Sequence, residues 1–434
     1  MSRKPLTPME WRRVLEDPDW EVNDSGHNVS RVLSFSYNDL PLHLKSCFLY
    51  CSLFPEDYLI QRKRLINLWI AEGFVESRPG KVIEDVADKY LEELLDRSML
   101  LVGEVGNDGD VYSCQVHDLL REFSIPMAKE EISGEFYGGK RNFEPSETTR
   151  RLFTVAGNVT QILKNRHMSR VCSLLVFPDN NWNLSFREPL IHNFKRLRVL
   201  YADGIYKQDV PITLRDAVHL RLHVLEVKWG MREFCSEFSA SIHKMHQLIS
   251  LAIWAAHEQM DRTPALLDPE VLHLPPSLML LRLKMQLQRI PSSLSSHSRL
   301  AKLTLMSTSL IEDPIVSLRS FPNLSYLYLE KAYTGKHIGG CSRGSFPSLR
   351  NLVILDLNQW EEWGDIEVGS FPCLSYLRIY GCLKLKMLPQ GFQRLVTLRH
   401  LKFSYMPEVF MNRLKPHEGA DPFKIQHIPL INIT

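Results

Sequence analysis

The sequence lacks any apolar run approaching the roughly 20 residues that a membrane span requires. Its first stretch, "MSRKPLTPMEWRRVLEDPDW", has no apolar segment of the kind that directs secretion. These two absences argue against an extracellular or membrane-spanning chain and predict a cytosolic or nuclear one, in which the six N-x-S/T sequons are chance matches. Neither sign of charge is in excess: 52 Lys and Arg stand against 50 Asp and Glu, for a net +2. Composition therefore makes no global case for nucleic acid or a membrane surface as partner. Among eight cysteines there is no C-x-x-C pair, which suits a reducing compartment and leaves no ready metal or redox pair. A Gly/Ser-rich linker is also missing, although 434 residues are too many for one compact core and call for two or more units.

What is present divides into two halves with different periods. The first runs from about residue 29 to 130 and reads as helices with one hairpin. Helical patterns cover Val29–Asn38, Pro41–Phe54, Arg62–Glu72 and Ile83–Asp96. Pro41 suits a first helical turn, Pro55 cannot continue the helix before it, and Gly73 is placed to end the third. "SMLLVGEV" and "VYSCQV" flank "GNDGD", an Asp-Gly hairpin signal. A last helix begins near His117, with Pro126 as a potential interruption. His43, Cys47 and Cys51 recur every fourth residue and would share a helix face. No second Cys/His pair at ligand spacing lies nearby, and free cysteine packs as a small hydrophobe, so this trio reads as core. The combination predicts a winged-helix-like unit.

From about residue 150 the pattern LxxLxL takes over. Ten copies, beginning at Val171, Leu197, Leu222, Leu248, Leu278, Leu300, Leu324, Leu349, Leu374 and Leu398, are spaced 22 to 30 residues apart. That is the leucine-rich-repeat period. Arg151–Val155 reads as a degenerate cap, and the long step from Leu248 to Leu278 as a loop insertion, "AAHEQMDRTPALLDPE". The predicted fold class is thus α+β and multi-domain, a helical winged-helix-like unit followed by an α/β leucine-rich-repeat solenoid. A solenoid offers a wide surface instead of an enclosed pocket, so binding is its default role. Residues alternating with the inward leucines face out of the concave sheet. They include Arg282, Lys284, Tyr326, Tyr328, Tyr376, Arg378, Tyr380, His400 and Lys402. Tyr and Arg anchor protein interfaces, but tyrosines also simply suit exposed strands, and both readings stay open. In the copy at Leu349 the outward positions are Asn351 and Val353, unless the register shifts to Leu355/Leu357.

"CFLYCSLFPEDYLI" (47–60), "LINLWIAEGF" (65–74), "LLDRSML" (94–100) and "VHDLLREF" (116–123), in that order ahead of the repeats, resemble the plant coiled-coil-class nucleotide-binding leucine-rich-repeat disease-resistance proteins. The resemblance covers nearly the whole chain. It implies an intracellular immune receptor whose repeats recognise a pathogen effector or a guarded host protein and restrain a nucleotide-dependent switch. The implied organisation is the tail of a helical subdomain (1–27), a winged-helix domain (28–130), a linker (131–149), the repeats (150–415) and a C-terminal tail (416–434). "VHD" at 116–118 matches the family's Met-His-Asp motif with Val116 for methionine. By that resemblance His117 contacts the β-phosphate of ADP in an intact receptor, beside Asp118 at the start of the last helix. From the residues alone, His117–Asp118 reads equally well as a helix start. The family's G-x-x-x-x-G-K-[ST] phosphate loop does not occur in this sequence. The chain therefore looks like the C-terminal portion of such a receptor. ADP or ATP is the family's cofactor, and this chain alone is expected to bind neither and to catalyse nothing. The implied partners are a protein ligand on the repeats and, within a full receptor, the nucleotide-binding domain, at a cytoplasmic location with the nucleus or a membrane reached through partners.

Three rivals are weaker. A winged helix can bind DNA, but the third helix carries Arg62, Lys63 and Arg64 only at its start. The helix Ile83–Asp96 adds six carboxylates that phosphates would repel. A leucine-rich-repeat adaptor for ubiquitin ligation is the alternative function, and it needs an N-terminal adaptor motif where residues 1–130 show the resistance-protein pattern. An extracellular repeat receptor lacks its signal peptide. No Ser/His/Asp arrangement or carboxylate pair suggests an enzyme.

Overall fold

The computed structural model describes residues 33–76, 83–106, 111–138, 145–155, 166–177, 194–202, 223–229, 236–255, 270 and 272–433. The chain divides into two compact units, Met1–Asn181 with Asn193–Tyr201, and Trp182–His192 with Ala202–Thr434. The expected subdomain tail at 1–27 and most of the insertion after Ala255 lie outside the described residues.

In the first unit, residues 33–38 are helical and are followed by α1 (Leu42–Cys51), α2 (Arg62–Glu72), α3 (Ile83–Asp96) and α4 (Asp118–Glu131). α1 starts just after Pro41 and buries Leu44, Cys47, Phe48, Leu49, Tyr50 and Cys51. A helix apolar on so many sides belongs in a core. Trp69 of α2 donates its indole N–H to the Cys47 carbonyl at 3.1 Å. Gly73, at φ 77°, ends α2 in the left-handed conformation that glycine adopts without a Cβ penalty. α3 places Glu84 and Asp85 in its first turn, where the helix dipole favours them, and buries Val86, Ala87, Tyr90, Leu91 and Leu94 along one face. Arg62 forks onto Asp88 (2.8 and 2.7 Å) and reaches Glu92 (3.0 Å), fixing α2 against α3. The first cation of the supposed DNA-reading helix is thus spent inside the unit.

The hairpin is β2 (Leu101–Val102) with β3 (Ser113–Gln115). It gains a third strand, β1 (Ile60–Gln61), giving the antiparallel order β1-β3-β2. α4 runs unbroken through Pro126, which is exposed. The Cys reading holds: Cys47, Cys51 and Cys114 are buried, and burial pushes the Cys114 thiol up to about 12. His43 packs its ring against Tyr90 at 4.6 Å, and no metal-ligating cluster occurs among the described residues.

Parallel strands begin earlier than the leucine pattern announces. Gly134–Tyr137, inside the expected linker 131–149, is a strand, β4, and pairs with β5 (Arg151–Val155). Arg151–Val155 is therefore an interior strand and not a cap. β6 (Ser173–Phe177) follows, buried at all five positions, and then β7 (Val199–Ala202). Phe153, Phe177 and Tyr201 on these strands meet Tyr50, Phe54 and Tyr58 of the winged helix. Centroid distances include 5.2 Å for Phe54–Phe153 and 4.9 Å for Tyr58–Phe177. Glu72 at the end of α2 binds Arg151 at 2.7 Å and Ser173. The first repeats are thus part of the same compact unit as the winged helix, which places the structural boundary later than residue 150.

The second unit is a ladder of parallel strands. It comprises β8 (Val224–Trp229), β9 (Ser250–Ala255), β10 (Leu280–Lys284), β11 (Lys302–Met306), β12 (Tyr326–Glu330), β14 (Asn351–Leu355), β16 (Tyr376–Tyr380), β17 (His400–Ser404) and β18 (Leu430–Ile433). Two short strands, β13 (His337–Ile338) and β15 (Glu362–Trp363), pair separately. Short helices α5 (Ser236–His243), α6 (Pro314–Leu318) and α7 (Glu408–Leu414) lie in the connections. The expected C-terminal tail instead contributes β18, paired with β17. Leu303, Leu305, Leu327, Leu329, Leu352, Ile354, Leu377 and Ile379 are all buried, as the period-2 alternation requires.

Successive turns are built alike. The residue after each of β11, β12, β14, β16 and β17 takes a left-handed φ: Ser307, Lys331, Asp356, Gly381 and Tyr405. Before three strands the segment S-F-P-x-L recurs 25 residues apart, and Phe346 and Phe371 stack at 4.9 Å with their planes 5° apart. Asp313 and Asp365 accept backbone N–H groups from the following coil at Gly339 and Gly391. At Gly381 the side chain of Asp356 fills the place a Cβ would take. Gly381→Ala combines that clash with a left-handed φ of 65°, so it should cost about 1–2 kcal/mol. The check is a lower thermal midpoint than Ser307→Ala, which adds no atoms at an equivalent turn.

Candidate functional site

Two places carry the sequence-predicted residues. The first is the start of α4. His117 is its N-cap, and Nδ1 accepts the Leu119 N–H at 3.3 Å. An accepting Nδ1 leaves the ring hydrogen on Nε2, so the neutral imidazole keeps one N–H donor. His117 and Asp118 are exposed, and Val116 is buried beneath them. One donor beside a carboxylate of the same sign as a phosphate is not a nucleotide site by itself. One turn further along α4, Arg121 donates Nε to the Phe54 carbonyl at 2.8 Å and lies over the Phe136 ring.

The second place is the outward face of β10–β17. Register brings its residues into rows across the strands. The central row runs Arg282, Thr304, Tyr328, Val353, Arg378, Lys402. A flanking row runs Lys302, Tyr326, Asn351, Tyr376, His400. Asn351 pairs with Tyr326 and Val353 with Tyr328, which settles the register of that copy. All nine predicted surface residues belong to this one face, but not equally. Arg282, Lys284, Tyr326, Tyr328, Tyr376 and Tyr380 are half-buried and His400 is exposed. Arg378 and Lys402, expected to be open to solvent, retain only 9% and 8% exposure. Arg378 and Lys402 are direct cross-strand partners, and an aromatic ring lies beside Arg378. Arg378 lies 5.7 Å from the Tyr380 ring centroid, and Tyr380 meets Tyr405 at 5.1 Å. Tyr328 donates to Glu330 at 2.7 Å. Lys302 was missed, although the copy Leu300/Leu303/Leu305 puts it in the outward phase.

The class these features define is a winged-helix unit followed by a parallel-strand repeat ladder with an aromatic and basic face. A family model for the disease resistance protein winged helix domain matches residues 53–124, and one for a leucine-rich repeat region matches 182–363. Probable disease resistance RPP8-like protein 2 of Arabidopsis thaliana is 28% identical over 99% of this chain and 58% of its own length. Disease resistance protein RPP8 of the same plant is 27% identical with the same coverage. Disease susceptibility protein LOV1, also from Arabidopsis thaliana, is 29% identical over 98% of the chain and 57% of its own length. Among solved structures, an internalin from Listeria monocytogenes aligns with 62% of this chain and 77% of its own at 14% identity and a TM-score of 0.34. The chain carries the winged-helix domain of the plant disease-resistance proteins joined to leucine-rich repeats, and it spans somewhat over half the length of those relatives. No described helix is long and apolar enough to cross a membrane.

Proposed function

We propose that the chain is part of an immune receptor whose repeats recognise a protein, either a pathogen effector or a guarded host protein, and restrain a nucleotide-dependent switch. The observation that carries this reading is the face of β10–β17, where tyrosines and cations lie side by side in register. Such residues anchor protein interfaces because they offer large, stiff contact area with a polar tip. Support for the immune role comes from the disease-resistance relatives. Replacing Tyr376, Arg378 and Tyr380 together by Ala should abolish partner binding while leaving the fold intact. Proximity labelling in leaf tissue, comparing the wild-type chain with the triple variant, tests it. Equal labelling profiles, with unchanged circular dichroism, would move the recognition surface elsewhere.

The nucleotide belongs to the whole receptor in this proposal, with His117 directing its Nε2–H toward the β-phosphate and Asp118 stabilising the helix start. Phosphate binding needs a cradle of backbone amides and a lysine, and the sequence contains no G-x-x-x-x-G-K-[ST]. Calorimetry of this chain with ADP should show no micromolar affinity and no turnover of ATP. Micromolar ADP binding that is lost in His117→Ala would show that this chain holds nucleotide without the phosphate loop.

A further inference from the structure

The outward positions of β10–β17 hold five cations, Arg282, Lys284, Lys302, Arg378 and Lys402, against one anion, Glu330. The face is therefore net +4 (+5 − 1) in a chain whose total is +2, leaving −2 for everything else. The cations form two groups. Arg282, Lys284 and Lys302 sit on the adjacent strands β10 and β11, while Arg378 and Lys402 are direct partners on β16 and β17. Between the groups stand β12 and β14, whose outward residues are Tyr326, Tyr328, Glu330, Asn351, Val353 and Leu355 and carry no cation. Parallel strands are about 4.8 Å apart, so three spacings from β11 to β16 amount to about 14 Å. An extended chain covers that distance in about four residues at about 3.3 Å each.

Like charges placed opposite each other on neighbouring strands repel. Arg378 and Lys402 are in that position with less than a tenth of either exposed. A ligand carboxylate brought to the pair would set an opposite charge beside both cations and gain charge-assisted hydrogen bonds next to the Tyr380 ring. With Glu330 and no cation between the two basic groups, the corresponding place in the ligand is best filled by uncharged residues, which can lie on Tyr326, Tyr328, Val353 and Leu355. A nucleic-acid strand, with a phosphate at every residue, does not fit that interruption as well.

Resting on the reading of the repeats as a recognition surface, we propose that β10–β17 dock an extended acidic segment of a partner protein. Its carboxylates lie on Arg378 and Lys402 at one end and on Arg282, Lys284 and Lys302 at the other, with uncharged residues between. The probe is a fluorescein-labelled peptide, Gly-Asp-Glu-Gly-Leu-Leu-Gly-Asp-Glu-Gly, titrated with the whole chain and followed by anisotropy. It should bind at least tenfold tighter than its Asn/Gln twin, and more weakly as salt rises. Arg378→Met with Lys402→Met, which keeps side-chain bulk and removes both charges, should reduce binding at least tenfold in the folded chain. Arg378→Lys, which keeps the charge, should retain binding, and so should Lys415→Gln, which removes an exposed cation outside the strands. Should the double methionine variant fail to fold, Arg378→Gln alone must still weaken the probe. Equal affinity for both peptides, or undiminished binding by the folded double variant, overturns the proposal. A decauridylate RNA or a phosphoserine peptide that binds tenfold tighter than the probe with the same Arg378 and Lys402 dependence also overturns it, assigning the face to that ligand. Loss of partner labelling in the Tyr376/Arg378/Tyr380 variant alongside a failed peptide titration would retain the recognition reading and reject only the acidic chemistry.

Discussion

Arg151→Met is expected to destabilise the first unit by about 3–5 kcal/mol, the cost of leaving one member of a buried ion pair alone. The Glu72 side chain is 1% exposed and receives Arg151 Nε at 2.7 Å and the Ser173 hydroxyl. Arg151 also donates to the Ile132 carbonyl and stands 4.7 Å from the Phe74 ring centroid. Each charge is satisfied by more than its partner, which is the condition under which a buried pair can hold. Burial, and next the Glu72 charge, push the neighbouring Tyr50 hydroxyl well above the ordinary phenol range, with Arg151 opposing. Removing the guanidinium would leave Glu72 facing that hydroxyl and a cluster of rings without the cation that now neutralises it.

Arg151→Lys should be nearly as harmful, because an ammonium cannot reach Glu72, the Ile132 carbonyl and the Phe74 face with one planar fork. By contrast, Glu72→Leu with Arg151→Met removes both charges together and should recover much of the loss. Hydrogen exchange of the α2 amides in the four chains of this double-mutant cycle measures the coupling locally. A coupling below about 1 kcal/mol would mean that the aromatic contacts, such as Phe54–Phe153, hold these elements without the pair.

The inference from sequence succeeded where one period repeats. α2 and α3 fall on Arg62–Glu72 and Ile83–Asp96 as their apolar spacing requires, and the LxxLxL copies fall on strands. It failed where pairing is decided at long range. β1 has two residues and no periodicity, so only its antiparallel partner β3 makes it a strand. β4, "GEFY", lacks the leucine pattern because it lies at the start of the parallel series, and β5 supplies its ladder. S-F-P-x-L was readable at a 25-residue spacing, and the ring stack it builds explains why those phenylalanines are buried in coil. For the candidate face, alternation identified which residues point outward but not how crowded they are. Burial of Arg378 and Lys402 depends on neighbours from adjacent strands and turns, which no single repeat encodes.

Asp421→Asn is expected to weaken the C-terminal end of the second unit by about 3–5 kcal/mol, and the same site should give the chain an acid-sensitive limb. Lys424 is 0% exposed, and its ammonium lies 3.2 Å from Asp421 Oδ1 and donates to the Leu388 carbonyl at 2.8 Å. Arg413 takes the other carboxylate oxygen at 2.7 Å. The Asp421 carboxylate therefore faces two cations, one of them wholly buried. Burial alone would raise its pKa, but the hydrogen bonds from Arg413 and Lys424 outweigh it and leave the pKa below the ordinary value of 3.8. A carboxylate whose pKa is depressed on folding binds fewer protons folded than unfolded, so stability rises with pH between the two values. The contribution is fully present above about pH 4 and is lost as pH falls through the lower folded value. Hydrogen exchange of the β17 and β18 amides, measured from pH 6 downward after correction for intrinsic exchange, should show protection falling with acid in the wild-type chain. In Asp421→Asn the same amides should be less protected at pH 6, with a flatter acid limb, because the titrating group is gone. Lys424→Met provides the complementary test. It removes the buried cation while leaving Asp421 its bond to Arg413, so the loss should be smaller than in Asp421→Asn. If Asp421→Asn and Lys424→Met cost the same and both keep the wild-type acid limb, the carboxylate is not what neutralises Lys424 in this end of the ladder.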